Sequence, residues 1–163
     1  MTDVYIALGS NLNGPVDQIN QAVDTISNHP EVVLEAISSF YKNPPMGPQD
    51  QPDFVNAVVK INTFLSVRAL LDFLQNIEKA QNREKKVHWG TRTIDADLLL
   101  YGMQQINEPD LVIPHLGLTA RAFFVGPLLE IAPDLVLPNQ MALKKIAEKL
   151  DFSILTKINR EEV

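Results

Sequence analysis

Thr93-Ile94-Asp95-Ala96-Asp97-Leu98-Leu99-Leu100-Tyr101 is the stretch on which the reading of this chain turns. Successive side chains of a strand point to opposite faces, so Asp95 and Asp97 share one face, roughly 7 Å apart along the chain. Ile94, Ala96, Leu98 and Leu100 share the other. A D-x-D pair standing alone is most often the wet face of a half-buried strand. Just upstream, Arg83, Lys85, Lys86 and Arg92 stand against the single carboxylate of Glu84, in a chain whose formal net charge is −6. A cationic cluster in an acidic protein points to an anionic ligand held beside the carboxylates, and a solvated loop is the alternative. Two hard carboxylates at this spacing can flank a pair of Mg²⁺ ions about 3.5–4 Å apart, with phosphate oxygens completing the coordination.

Working outward, Val4, Ile6 and Leu8 alternate and stop at Gly9, which predicts a first strand. Pro15 suits a first helical turn, and Val16, Ile19, Val23 and Ile26 recur at helical spacing up to His29-Pro30. Val32–Tyr41 and Phe54–Leu65 read as two strands joined by a proline-rich loop. Behind Ser66 as N-cap, Val67, Leu70, Leu71, Leu74 and Ile77 form the stripe of a second helix running to about Gln81. The carboxylate strand, Thr93–Tyr101, completes the order βαββαβ. That is the pattern of an α+β, ferredoxin-like core: an antiparallel sheet with two helices on one face and the other face left for ligands. Beyond Gly102 the segment Leu111–His115, a helix from about Leu118 to Val125 and a last helix from about Met141 to Leu150 predict a C-terminal helical extension. No repeat or linker divides the chain, so residues 1–163 are expected to form a single domain.

A chain of 163 residues can bury a proper core without staples. It has no cysteine, which excludes disulfides, thiolate catalysis and thiolate metal sites. No stretch is long and apolar enough for a membrane span. The start Met-Thr-Asp-Val-Tyr lacks the basic and apolar regions of a signal peptide, so a cytoplasmic location is expected. A pI near 5.0 argues against a nucleic-acid partner, which requires a broad basic face.

Other residues carry chemistry only in company. The loop Asn43–Pro52 holds four of the eleven prolines, making it either a stiff connection or a rigid wall of a binding site. Phe54 and Asn56 share a strand face and together offer an aromatic plate beside an amide, a match for a flat heterocycle; ordinary core packing is the rival for Phe54 and Phe123. His115 and Arg121 read as a turn residue and a surface charge, or as phosphate donors. Gln75 and Glu78 lie on the polar side of the second helix, where such residues are common. Gly9–Gly14 opens like a phosphate-binding loop, but Pro15-Val16 stands where Lys and Ser or Thr are needed, which rejects that motif.

Taken together, Ala7-Leu8-Gly9-Ser10-Asn11-Leu12, Ser39-Phe40-Tyr41, Pro44 through Asn56, Trp89 through Asp97, Pro114-His115 and Arg121-Ala122-Phe123 resemble the 6-hydroxymethyl-7,8-dihydropterin pyrophosphokinases. The resemblance runs over about residues 4–138. It implies a folate-pathway enzyme that moves the β,γ-diphosphate of ATP onto the hydroxymethyl of a reduced pterin, releasing AMP. On that likeness Asp95 and Asp97 hold two Mg²⁺ ions, and Arg83, Lys85, Arg92, His115 and Arg121 neutralise the phosphates, with Arg92 and Lys85 nearest the transferring group. Gln75, Glu78 and the strand around Leu98 face ATP. The pterin lies between Phe54 and Phe123, Asn56 and the backbone of Asn43, Pro44 and Met46 read its edge, and Trp89 closes over the site. Arg83–Thr91 is expected to act as a lid. The implied partners are the two small substrates, with no nucleic acid or membrane and a monomer as the expected state. This chain departs from relatives at Thr91, Ala96, Asp110, Val112 and Leu116, carries Asn43 and Phe54 for threonine and tyrosine, and has a shorter lid that leaves the cationic role to Lys85 or Lys86. The rivals in other classes are a non-catalytic ferredoxin-like binding module and a sheet-surface RNA binder.

Overall fold

The computed structural model describes residues 1–12, 14–45, 51–82 and 94–159. In chain order the elements are β1 (Thr2–Ser10), α1 (Pro15–Ser27), β2 (Val32–Ile37), β3 (Phe40–Asn43), β4 (Phe54–Thr63), α2 (Val67–Asn82), β5 (Asp95–Tyr101), β6 (Ile106–Glu108), β7 (Leu111–Ile113), α3 (Ala122–Ile131), α4 (Leu143–Ala147) and β8 (Thr156–Ile158). The main sheet runs β5-β1-β4-β3-β8, with β2 also paired to β4, and β6–β7 form a separate hairpin. Every pairing in the main sheet is antiparallel. This is the βαββαβ core expected of an α+β, ferredoxin-like chain.

Both faces of the sheet are buried. On one, Val4, Ile6 and Leu8 of β1 pack with Val55, Ala57, Val59 and Ile61 of β4 against the apolar stripes of α1 and α2. On the other, Tyr5, Ala7 and Val58 meet Phe124, Val125 and Leu128 of α3 and Leu143 and Ile146 of α4. The expectation of a face left open for ligands is therefore corrected. β1 is apolar at both parities, the mark of a strand covered on both sides, and α3 and α4 supply the second cover. Among the described residues, a cavity remains at the end of that face nearest Gly9.

Three expectations about the elements also change. The run Val32–Tyr41 is two strands, broken at Ser38-Ser39. The Ser38 hydroxyl accepts the Val58 N–H at 2.9 Å, and the Ser39 N–H and hydroxyl donate to the Glu130 carboxylate at 2.9–3.1 Å. Leu100 does not share a face with Ala96 and Leu98: Tyr5 pairs with Leu100 but Ile6 with Leu98, a bulge that turns both Leu99 and Leu100 into the second core. Tyr101 then returns to the first core, its hydroxyl donating to the Leu65 carbonyl at 2.6 Å. Finally, α3 begins after Arg121 and runs through Pro127 to Ile131, while α4 is a short helix of Leu143–Ala147. No described helix is long and apolar enough to cross a membrane.

Candidate active site

Two cavities open at the Gly9 end of the sheet. The first, about 170 Å³, is lined by residues including Gly9, Asn43, Phe54, Asn56, Asp95, Asp97, Arg121 and Phe123. Its floor is a row across three strands: Gly9 of β1 pairs with Asn56 of β4 on one side and Asp95 of β5 on the other, and Ala7 pairs with Asp97. Gly9 is required there by space. A Cβ at Gly9 would lie 2.6 Å from Asn56 Nδ2, so the amide rests directly over the missing side chain. Asn43 and Asn56 are buried, and the Oδ1 of each has no hydrogen-bond partner among the described residues. A buried acceptor left unmatched costs roughly 1–3 kcal/mol, which a ligand N–H recovers. Asn11 Nδ2 donates to Gln51 Oε1 at 3.2 Å and to the Pro52 carbonyl at 3.3 Å, tying the end of the proline-rich loop to β1.

The second cavity, about 330 Å³, lies between α2, β5 and the β6–β7 hairpin and is bordered by Gln75, Glu78, Asp97, Leu98, Val112 and His115, among others. Asp97 lines both cavities. Glu78 Oε2 accepts the Ala96 N–H at 2.8 Å, so this carboxylate supports β5 as well as bordering the cavity. The hairpin is held to α2 by Arg68, which pairs with Asp110 at 2.7 Å and with Glu108. That pairing draws the Asp110 carboxyl below its ordinary range.

His115 is fixed from three sides. Its N–H donates to the Leu99 carbonyl at 3.0 Å, its ring meets Phe124 edge-on at 5.1 Å, and its Nδ1 accepts the Gly117 N–H at 2.9 Å. With Nδ1 accepting, a neutral ring carries its proton on Nε2. Burial, joined by the nearby Arg121 guanidinium, pulls the imidazole pKa below its ordinary value against the opposing pull of Asp97. Arg121 in turn lies 5.3 Å from the Phe124 ring centre and 5.9 Å from that of Phe123.

The structure thus gathers Asn43, Phe54, Asn56, Asp95, Asp97, Arg121 and Phe123 around one cavity and Gln75, Glu78, Asp97, Leu98 and His115 around the other. Pro44 is exposed, its carbonyl accepting from Asn43 Nδ2 at 3.3 Å. Met46, Arg83, Lys85, Lys86, Trp89 and Arg92, and with them the lid expectation, lie outside the described residues. Sequence reasoning placed Gly9 and Asn11 only at a strand end and within a family-like stretch, and gave no part in the site to Arg68, Gly117 or Phe124. Among the described residues no group of three or more His, Cys, Asp or Glu side chains gathers to hold a metal. Asp95 and Asp97 remain as a pair of hard oxygen donors, the kind of set that Mg²⁺ completes with substrate phosphates.

Residues 5–133 match the 7,8-dihydro-6-hydroxymethylpterin-pyrophosphokinase (HPPK) family. The chain is 49% identical over 159 residues to the 2-amino-4-hydroxy-6-hydroxymethyldihydropteridine pyrophosphokinase of Haemophilus influenzae, covering 98% of this chain and 99% of that protein. Identity to the protein of the same name from Pseudomonas aeruginosa is 46% over 149 residues, covering 91% and 92%. The bifunctional protein FolKE of Lactococcus lactis is 37% identical over 131 residues, but this chain spans only 38% of its length. Among solved structures, Plasmodium falciparum HPPK-DHPS superposes with a TM-score of 0.75 at 13% identity, over 96% of this chain and 47% of that one, a likeness of fold with about half of a longer protein. With the family match over residues 5–133 and near full-length similarity to two relatives, the chain belongs to the 7,8-dihydro-6-hydroxymethylpterin-pyrophosphokinase family.

Proposed function

We propose that this pyrophosphokinase transfers the β,γ-diphosphate of ATP to the hydroxymethyl oxygen of 6-hydroxymethyl-7,8-dihydropterin in folate biosynthesis, with Mg²⁺ required. The pterin oxygen attacks the β-phosphorus, the bond from that phosphorus to the bridging oxygen of the α-phosphate breaks, AMP departs and the hydroxyl proton is released. The observation that carries this reading is Asp97, which faces both cavities and so stands where two substrates would meet.

In the first cavity the unmatched Oδ1 atoms of Asn43 and Asn56 would accept N–H groups of the pterin, with Phe54 and Phe123 against its ring faces. In the second, Gln75, Glu78 and Leu98 would border the nucleotide, and His115 would offer its Nε2–H to a phosphate oxygen without adding a full charge. Asp95 and Asp97 would hold two Mg²⁺ ions, which when bound with ATP offset charge on the phosphates. Arg83, Lys85, Arg92, Trp89 and the backbone at Pro44 and Met46 keep the roles that the family likeness implies. Arg121 would hold phosphate charge from the opposite wall. No nucleophilic side chain is needed, because phosphoryl chemistry of this kind rests on positioning and charge. A single-domain, monomeric, cytoplasmic enzyme completes the proposal.

Incubating the protein with ATP, Mg²⁺ and the hydroxymethyl pterin should yield AMP and pterin diphosphate in equal amounts, and chelation of Mg²⁺ should stop it. Formation of ADP, or pterin binding with no turnover, would replace this reading with a different transfer or with a non-catalytic binding module.

A further inference from the structure

We propose that Gly117 is a positioning residue of this enzyme: its absent side chain is the seat of the Arg121 guanidinium. The inference deepens the functional reading above and rests on it.

Two sets of contacts meet at this glycine. A Cβ built at Gly117 would lie 2.6 Å from Arg121 Nε, 2.8 Å from Cζ and 2.9 Å from Cδ, all closer than real contacts allow. The backbone has little room to yield. The Gly117 N–H is committed to His115 Nδ1 at 2.9 Å, and its carbonyl accepts the N–H groups of Ala120 and Arg121, each at 3.2 Å. The positive-φ glycines among the described residues are Gly14 and Gly102, so the local backbone angle at Gly117 is open to alanine. What a side chain at 117 would disturb is therefore the space above it, which the Arg121 side chain fills.

The guanidinium lies between that space and the rings of Phe123 and Phe124, and borders the first cavity together with Asp97. A methyl group at 117 would displace it while leaving the His115 hydrogen bond and the apolar packing in place. Because the displaced group is the outer part of a flexible side chain, the change acts on activity and spares stability.

The test is a double-mutant cycle on AMP formation with Gly117→Ala, Arg121→Ala and both together. Both single variants should lower kcat/KM for ATP roughly tenfold to a hundredfold, the scale expected when a charge-stabilising group is misplaced by about 1 Å. The double variant should be no worse than Arg121→Ala within about twofold. The melting temperature of Gly117→Ala should stay within about 2 °C of the parent. Additive losses, parental activity in Gly117→Ala, parental activity in Arg121→Ala, or a Gly117→Ala that fails to fold would each overturn the seat. Failure of the functional reading is distinct, since the parent itself would then release no AMP.

Discussion

Asp97 is half-buried and borders both cavities, so on the proposed mechanism its loss should fall on the reaction and not on the core. Asp97→Ala and Asp95→Ala should each reduce turnover by at least about 100-fold, with unfolding free energy changed by less than about 1 kcal/mol. Urea titration and AMP release from the same preparations check both halves. The Asn56 amide lies on Gly9, so Gly9→Ala should raise the pterin KM about tenfold and leave the ATP KM within about twofold. A larger effect on ATP would reverse the allocation of the two cavities. That Asp95 shares a face with Asp97, and Phe54 with Asn56, was legible from strand periodicity, since residues two apart share a face; their place at a site needed the neighbouring charges and the family likeness. Gly9 and Gly117 were not legible, because each is defined by a side chain from elsewhere in the fold that rests on it.

At the level of elements, the break between β2 and β3 shows how a distant group overrides local pattern. Nothing in Val32–Tyr41 interrupts the apolar run strongly enough to announce two strands. The break comes from serine hydroxyls competing for backbone partners and from Glu130, which is 91 residues from Ser39 in sequence. Burial alone would raise the Glu130 pKa, but hydrogen bonds from Tyr41 and from the Ser39 N–H and hydroxyl outweigh it and hold the carboxyl below its ordinary value. A carboxylate depressed in the folded state stabilises above its unfolded pKa, and that contribution disappears as pH falls through the folded one. Glu130→Gln should therefore cost about 1 kcal/mol at pH 7, allowing for solvent screening, and the gap to the parent should close as pH falls from neutrality to below the ordinary glutamate range. Urea midpoints across that range decide it; a gap independent of pH would mean that shape, not charge, joins α3 to β3. The start of α3 was misjudged for a related reason. Leu118 and Ala120 continue an apolar pattern, but their N–H groups bond back to the His115 and Gly117 carbonyls as turns, and the helix begins only after Arg121.

For the whole molecule, the order βαββαβ could be read from sequence because each element carries its own period, and it sets the strand neighbours that bring Gly9, Asn56 and Asp95 into one row. The covered second face could not be read so directly, although Tyr5 and Ala7 alternating with Val4, Ile6 and Leu8 already require apolar partners on both sides. Those partners include Leu143 and Ile146, which lie beyond the residues matched to the family. Leu143 is fully buried, so Leu143→Ala should cost about 2–4 kcal/mol, while kcat/KM per folded molecule stays within about threefold. A loss of activity without loss of stability would tie α4 to the site itself. A different consequence follows from β5 standing last in the sheet, paired with β1 alone among the described strands. Its outer backbone is an open template for another chain, yet the Ala96 N–H is taken by Glu78 and the Leu99 carbonyl by the His115 N–H. Glu78 and His115, both bordering the second cavity, therefore occupy two backbone groups that a docking strand would need. Glu78→Ala should make the protein aggregate at lower concentration on light scattering, which would tie solubility to a carboxylate of the proposed nucleotide site.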